Sequence, residues 1–289
     1  MSARFPKLDP RITAARPDLA DVALKGRVEA ARFVEGRWLQ VREECLDLRG
    51  QPNPESGLLT QALYGEAFCV FEDEEGWAWG QLRGDGYVGY LSANGLRAPG
   101  LAPTHKVCVP RTFGYPIANI KAPVVKALPM GARIAVTDMQ GAFARNDDHL
   151  FIIKEHLAPI DAKVPDFVSC AERFLHVPYL WGGKTALGLD CSGLIQIGLD
   201  QAGLAAPRDS DMLARMAAQE LSLEVDCTGL QRGDLVFWKG HIGVMQDAHR
   251  LLHANGHAMM VTSEPLVQAR ARTLANGGGD ITALRRLPG

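Results

Sequence analysis

Cysteine and histidine are the residue types in this chain best suited to nucleophilic or metal chemistry, and one of its six cysteines stands apart by its neighbours. Cys191 lies in GLDCSGLIQIGLDQAGL, residues 188–204, where a glycine-rich loop turns into an apolar, helix-periodic run. Asp190 has the chemistry of an N-cap and Gly203 that of a C′ glycine, so Cys191 is predicted to be the first residue of a helix. Unpaired amides at a helix N-terminus favour a thiolate and can bring a cysteine well below its free pKa of about 8.5. The charge of Asp190 opposes this, partly offset if helix amides engage its carboxylate. The other cysteines, at 45, 69, 108, 170 and 227, are scattered without a Cys-x-x-Cys pair and read as reduced, buried packing residues.

A thiol nucleophile needs a base. Of the eight histidines, those at 241, 249, 253 and 257 crowd into HIGVMQDAHRLLHANGHAMMV, residues 241–261. This stretch reads as a hairpin. A turn centred on Asp247 sets His241 opposite His253 on one face, with Cβ atoms about 4.5–5.5 Å apart, suiting a base and the group that orients it. Asn255 shares that face and is the reserve orienter; His249 and His257 are weaker candidates. A metal site is disfavoured, because one plausible thiolate is near and no carboxylate has ligand spacing. From these residues alone a Cys-His-His catalytic set and a histidine-bearing surface hairpin both stay open.

Three kinds of segment must position these groups. Residues 1–30 read as an N-terminal segment, partly helical over Asp18–Ala30. From Arg32 to about Pro159 come short β-like runs with close turns (RWLQV, AFCVFE, WAWGQL, YVGYL, KVCV, RIAVTD, HLFII), the pattern of small antiparallel barrels. A weak internal repeat lies here, ALYGEAFCVFEDEEGWAWG (62–80) over ALPMGARIAVTDMQGAFAR (127–145), which predicts two copies of one β-module. The first copy carries Glu66 after its glycine where the second has Ala132. From Pro165 the texture is mixed: a helix in VPDFVSCAERFLHV ended by Pro178, a loop in PYLWGGKTALGL, the helix at Cys191, and a second helix over Asp209–Glu220. Strands follow at 234–238, 241–246, 251–255 and 258–261, an α+β order.

Composition narrows the function classes. The chain has 289 residues, 47% apolar and 22% charged, with a formal net charge of −2. That balance carries no basic footprint for nucleic acid and no polybasic membrane patch. No run of about 18 apolar residues suggests a membrane span. The start of the chain has no apolar core of a secretory signal, so the expected location is the cytoplasm.

Read together, PYLWGGKTALGLDCSGL, RGDLVFWKGHIGVM and LLHANG resemble the catalytic domain of NlpC-type cell-wall cysteine peptidases over about residues 165–265. The resemblance implies an α+β papain-like domain, residues 163–289, behind two small all-β bacterial SH3-like barrels, residues 1–100 (with the N-terminal segment) and 101–162. The arrangement is similar to cytoplasmic endopeptidases that cut the γ-D-glutamyl-L-diamino acid bond of murein peptides. Carried over by position, Cys191 is the nucleophile, His241 the general base and His253 its orienter, with the Cys191 amide and the Tyr179 phenol as oxyanion donors. In such peptidases the first SH3-like domain closes one end of the cleft and supplies an acid and a tyrosine near the substrate's free N-terminus; the matching positions are Glu66 and Tyr87. Asp190, Ser192, Arg208, Asp209 and Ser210 match substrate-lining positions, Glu66 and Asp209 suiting an ammonium and Arg208 and Ser210 a carboxylate. The implied partner is a murein peptide, L-Ala-γ-D-Glu-diamino acid, and no cofactor or metal is expected. The competing readings are a hydrolase of intact wall, an amidase or acyltransferase on the same fold, and a murein-binding protein without activity.

Overall fold

The computed structural model describes residues 8–216, 218–221 and 229–288. The chain divides into two compact units between Ile160 and Asp161. The first is all-β and carries two modules. In one, strands over Arg37–Val41, Cys45–Arg49, Leu58–Leu63, Ala67–Glu74, Trp77–Leu82, Val88–Ser92 and Leu96–Arg97 form a seven-stranded sheet that curls around Val41, Leu48, Phe68, Leu82 and Leu91. In the other, a three-stranded and a five-stranded sheet enclose Val107, Leu128, Ile134 and Ile152.

The internal repeat has a physical counterpart in two equivalent turns. Gly65 and Gly131 both adopt positive φ, 78° and 86°. Each donates its amide back to the strand that opens its own module, Gly65 to Val41 O and Gly131 to Val107 O, at 2.9 and 3.0 Å. Glycine is the residue that takes this conformation without a Cβ penalty. Gly65 has a second reason to be glycine. A Cβ there would sit 2.1 Å from the carbonyl oxygen of Arg133, whose amide donates to Tyr64 O, so the backbones of the two modules are in contact. Tyr64 packs in the second module's core and donates its phenol to Asp148 at 2.5 Å, and Asp148 also pairs with Arg97.

The N-terminal segment departs from its predicted helix. Leu19–Asp21 and Arg32–Val34 pair as parallel strands, and a single 3₁₀ turn at Val22–Leu24, capped by Asp21, is the helical part. The reason is tertiary: Ala14 and Leu19 are buried against Cys69, Phe71 and Trp79 of the first module, which holds the segment extended.

The second unit is α+β. Helices α1 (Phe167–Glu172), α2 (Cys191–Gln201) and α3 (Ser210–Leu213) come first. A six-stranded antiparallel sheet follows, from β1 (Gln219–Glu220), β2 (Leu235–Trp238), β3 (His241–Met245), β4 (Arg250–Asn255), β5 (Met260–Pro265) and β6 (Ala283–Arg286), in the order β1-β6-β2-β3-β4-β5. A fourth helix, α4 (Leu266–Ala275), lies between β5 and β6. α2 packs against α1, β3 and β4, and nearly all of its residues are buried. The helix predicted over Asp209–Glu220 shortens to α3, because the backbone at 219–220 pairs instead with Arg285 and Arg286 of β6; tertiary pairing overrides local propensity here. Residue 217 of that stretch, like Cys227, lies outside the described residues. β5 extends beyond the strand read at 258–261.

The contact at Gly65 yields a test. Gly65→Ala should destabilise the first unit by about 3 kcal/mol, from an unfavourable backbone conformation plus overpacking. Gly76→Ala is the control, since Gly76 has a similar φ of 82° but no atom within 4 Å of its added Cβ; it should cost about 1 kcal/mol. Equal losses in chemical denaturation would mean that the modules are not in backbone contact at Gly65.

Candidate active site

α2 begins where the sequence predicts, and the cap explains why. The Asp190 carboxylate accepts from the Gly193 amide at 2.7 Å, and Gly203 closes the helix with φ 73°. Asp190 does more than cap. Its carboxylate also accepts from the Gly182 amide at 2.9 Å, the Ser192 hydroxyl at 3.3 Å, and both ends of the Arg208 guanidinium at 2.9 and 2.7 Å. The Arg208 fork continues to Ser192 Oγ at 2.7 Å and the Gly183 carbonyl at 3.4 Å. Arg208 is 1% exposed. These contacts place Arg208, Asp190 and Ser192, which the sequence reading expected to line the substrate site, in one hydrogen-bonded cluster. Their polar atoms bind one another inside the unit and fix the 182–183 loop to the start of α2.

Cys191 is therefore held at the first position of α2, 7% exposed. Its sulfur accepts from the backbone amides of Ile242 and Ser192. Ile242 follows His241, so the contact sets the thiol beside the start of β3. The predicted lowering of the thiol pKa is overturned. Burial pushes Cys191 up to about 11 and Asp190 adds to the rise, outweighing Ile242, Arg208 and Ser192, which pull it down. The amides at the helix tip are real, but desolvation of the charged form is the larger effect.

The two histidines meet, through a different register from the one predicted. Val244 pairs with Leu252 and Met245 with Leu251, so the turn centres on residue 248, and continuing the register puts Gly243 opposite His253. The expected pairing of 241 with 253 is off by two residues. A slip of two keeps every side chain on its face, whereas a slip of one would have inverted it. His241 Nε2 and His253 Nδ1 are 2.9 Å apart, with the rings edge-on at 5.1 Å. Gly243 makes room, since a Cβ there would lie 3.1 Å from His253 Cβ. The Trp238 ring covers the other side of His241, 5.7 Å between centroids. Burial, followed by His253 and Arg272, brings His241 down to about 3 against the opposing pull of Glu264.

Beyond His253 lie Asn255, the reserve orienter, and two groups that the sequence reading did not reach, Glu264 and Arg272. His253 Nε2 is 2.8 Å from Glu264 Oε1 and 3.1 Å from Asn255 Nδ2, and Arg272 donates to both Glu264 oxygens at 2.6 and 2.5 Å. Glu264 is on β5 and Arg272 two turns into α4. Continuing the period-2 pattern past Val261 to Thr262 and Glu264 would have found the acid.

Tyr179 sits in the 178–189 loop, tied by its amide to Met259 O at 2.8 Å. Burial raises its phenol, with Cys191 and Asp190 adding, so it keeps its proton near the thiol. Asp209 and Ser210 are half-buried at the start of α3. In the first unit, the Glu66 carboxylate accepts from the Leu63 amide at 2.8 Å, bracing the Gly65 turn. Tyr87 is 4% exposed and packs in its module's core. Among the described residues no cluster of histidine, cysteine and acidic side chains could hold a metal, and no helix is long and apolar enough to cross a membrane.

Comparison with known proteins agrees with this architecture. Residues 176–273 match the NlpC/P60 family and residues 48–96 the bacterial dipeptidyl-peptidase SH3 domain. A γ-D-glutamyl-L-lysine dipeptidyl-peptidase of Bacillus cereus is 30% identical over 120 residues, 42% of this chain and 34% of that protein. Dipeptidyl-peptidase 6 of Lysinibacillus sphaericus is 31% identical over 36% of each chain. The chain thus spans about a third of the length of these two curated relatives. A crystal structure of an NlpC/P60 family protein from Bacillus cereus shares the fold, with a TM-score of 0.71 at 19% identity over 87% of this chain and all of that one.

Two tests follow from the site. Asp190→Ala takes the carboxylate away from the buried Arg208 guanidinium and should lower the stability of the second unit by about 3–5 kcal/mol; a loss below about 1 kcal/mol in chemical denaturation would show that the pair is solvated. Separately, with Cys191 near 11 and His241 near 3, the free protein holds a neutral thiol and a neutral imidazole between those limits. Raising the pH from 6 to 10 leaves His241 unchanged and increases the thiolate fraction throughout. The rate of Cys191 alkylation by iodoacetamide should climb continuously over that range, and a plateau beginning below pH 6 would reveal a standing thiolate–imidazolium pair instead.

Proposed function

We propose that this chain, which carries an NlpC/P60-family domain at residues 176–273 behind a bacterial SH3-type domain, is a cysteine peptidase that hydrolyses the γ-D-glutamyl–diamino acid bond of murein peptides. The observation that carries the reading is the placement of Cys191. Its sulfur is held at the tip of a buried helix by the Ile242 amide, adjacent to His241, which is in turn hydrogen-bonded to His253 at 2.9 Å.

In the proposed reaction His241 takes the thiol proton as the sulfur attacks the γ-carbonyl carbon, so no standing ion pair is required. Charge develops on the carbonyl oxygen and is met by the Cys191 amide, which has no partner within the helix at that position, and by the Tyr179 phenol. Collapse of the adduct breaks the C–N bond. His241 gives its proton to the leaving amine, and a thioester remains on Cys191. His241 then removes a proton from water, the resulting oxygen attacks the thioester, and the proton returns to the sulfur as the acid leaves. Asp209 and Ser210 are the proposed substrate contacts of the catalytic unit, while Asp190, Ser192 and Arg208 act by holding the loop and helix that present Cys191.

Two Bacillus relatives named as γ-D-glutamyl-L-lysine dipeptidyl-peptidases, one of them 26% identical over 68% of this chain, support the choice of scissile bond. The preference for a free N-terminal L-alanine, with Glu66 as partner of its ammonium, rests on the resemblance of LYGE in the first module. A role in murein recycling in the cytoplasm is part of the proposal; the thiols of Cys45, Cys69 and Cys191 suit a reducing compartment.

The test is a panel of peptides read by mass: L-Ala-γ-D-Glu-L-Lys, its meso-diaminopimelate counterpart, and the N-acetylated form of each. Wild-type protein should release L-Ala-γ-D-Glu from the free peptides, with N-acetylation slowing cleavage at least about tenfold through loss of a charged contact. Cys191→Ala should fold and cleave none of them. Turnover by that variant would remove the mechanism, and equal rates on free and acetylated peptides would remove the role of Glu66.

A further inference from the structure

The histidine pair ends in a carboxylate that the peptidase reading leaves without a task. Glu264 Oε1 lies 2.8 Å from His253 Nε2. Its two oxygens are clasped by the Arg272 guanidinium at 2.6 and 2.5 Å. Hydrogen bonding from His253, then from Arg272, holds the Glu264 carboxyl down to about 2 against burial. A charged oxygen at 2.8 Å from a ring nitrogen requires a hydrogen between them, and an ionised carboxylate has none to give. The proton therefore belongs to His253 Nε2.

Asn255 offers the one competing arrangement. Its Oδ1 accepts from the Ala258 amide at 2.8 Å and its Nδ2 donates to Thr262 Oγ1 at 2.7 Å, which fixes the amide's orientation. The second Nδ2 hydrogen faces His253 Nε2 at 3.1 Å and would suit a lone pair there. The carboxylate is closer and fully charged, and a bare Nε2 facing it would be repelled, so the carboxylate decides.

We propose that Glu264 is the positioning residue of this site: through His253 it fixes the tautomers of both histidines and leaves Nδ1 as the nitrogen of His241 able to take the thiol proton. With Nε2 of His253 protonated, its Nδ1 is an acceptor. The 2.9 Å contact is then a hydrogen bond donated by His241 Nε2. When His241 becomes an imidazolium during attack, the new charge is stabilised along the same line, His241 to His253 to Glu264, and Glu264 is the group that raises His241 against burial, His253 and Arg272. Arg272, which faces the carboxylate from α4, keeps Glu264 ionised and so keeps the relay pointing one way.

This inference rests on the proposed peptidase chemistry for its rate effect, but the tautomers can be read without any substrate. In ¹⁵N-histidine-labelled full-length protein at pH 7, His253 Nε2 and His241 Nε2 should show the shifts of protonated nitrogens, and both Nδ1 atoms those of lone-pair nitrogens. Glu264→Gln replaces a pure acceptor with a group that can donate or accept, so His253 should populate its other tautomer. On the peptide panel kcat should fall about tenfold or more with KM within about twofold, since positioning acts on the proton-transfer step. A wild-type spectrum with His253 protonated on Nδ1 overturns the proposal, even if the variant does not fold. So does a folded Glu264→Gln protein with unchanged tautomers and kcat, whatever its loss of stability. If wild-type protein cleaves none of the peptides, the peptidase reading fails and the spectra alone decide the role of Glu264.

Discussion

Five hydrogen bonds converge on the carboxylate of Asp190, two from backbone amides, one from Ser192 and two from Arg208. Without them the loop at 182–183, the first turn of α2 and the segment before α3 would have no common anchor, and the direction of the Cys191 side chain would be unset. A buried arginine and a nearly buried aspartate cost a large desolvation to place, and a pair of apolar residues of similar size is often no less stable. What the ionic set supplies here is direction. The fork of the guanidinium fits one orientation of the carboxylate, and that carboxylate in turn caps one start point for the helix. The chemistry proposed for Cys191 is downstream of that choice.

Cys191 and His241 are both shifted away from their charged forms. Burial raises the thiol and lowers the imidazole, so each group rests in its neutral form. In the proposed reaction, charge separation appears when a carbonyl carbon is present to take the sulfur's electrons, in surroundings where the Tyr179 phenol is still protonated. A low-dielectric site of this kind penalises a resting ion pair and strengthens fixed dipoles aimed at the developing oxyanion. The His253–Glu264–Arg272 line makes the penalty smaller on one side only, the side of the imidazolium.

How far the sequence disclosed this depends on the range of the interaction concerned. The cap at Asp190, the C′ glycine at 203 and the shared face of His241 and His253 are local or follow a period of two, and they were legible. The hairpin register was misjudged by two residues, yet the face survived, because parity is what the pattern encodes. Arg208 was legible as a cation beside Asp209 and Ser210, but its burial against Asp190, 18 positions earlier in the chain, belongs to the packing. The sign of the Cys191 shift was hidden for the same reason: helix position can be read from residues, desolvation cannot. The helix expected at Asp18–Ala30 gave way to strands because the first module offers Leu19 a buried seat. Glu264 was within reach of a longer reading of β5, while its link to Arg272 required the return of α4.

The central claim is that Cys191 forms a covalent acyl intermediate, and rapid quenching followed by peptide mass analysis tests it most directly. Wild-type protein mixed with L-Ala-γ-D-Glu-L-Lys, acid-quenched before steady state and digested, should show the L-Ala-γ-D-Glu acyl mass on the fragment containing Cys191, decaying as free dipeptide appears. Product release with no acylated fragment at any quench time, or with the acyl mass on another residue, would contradict the account.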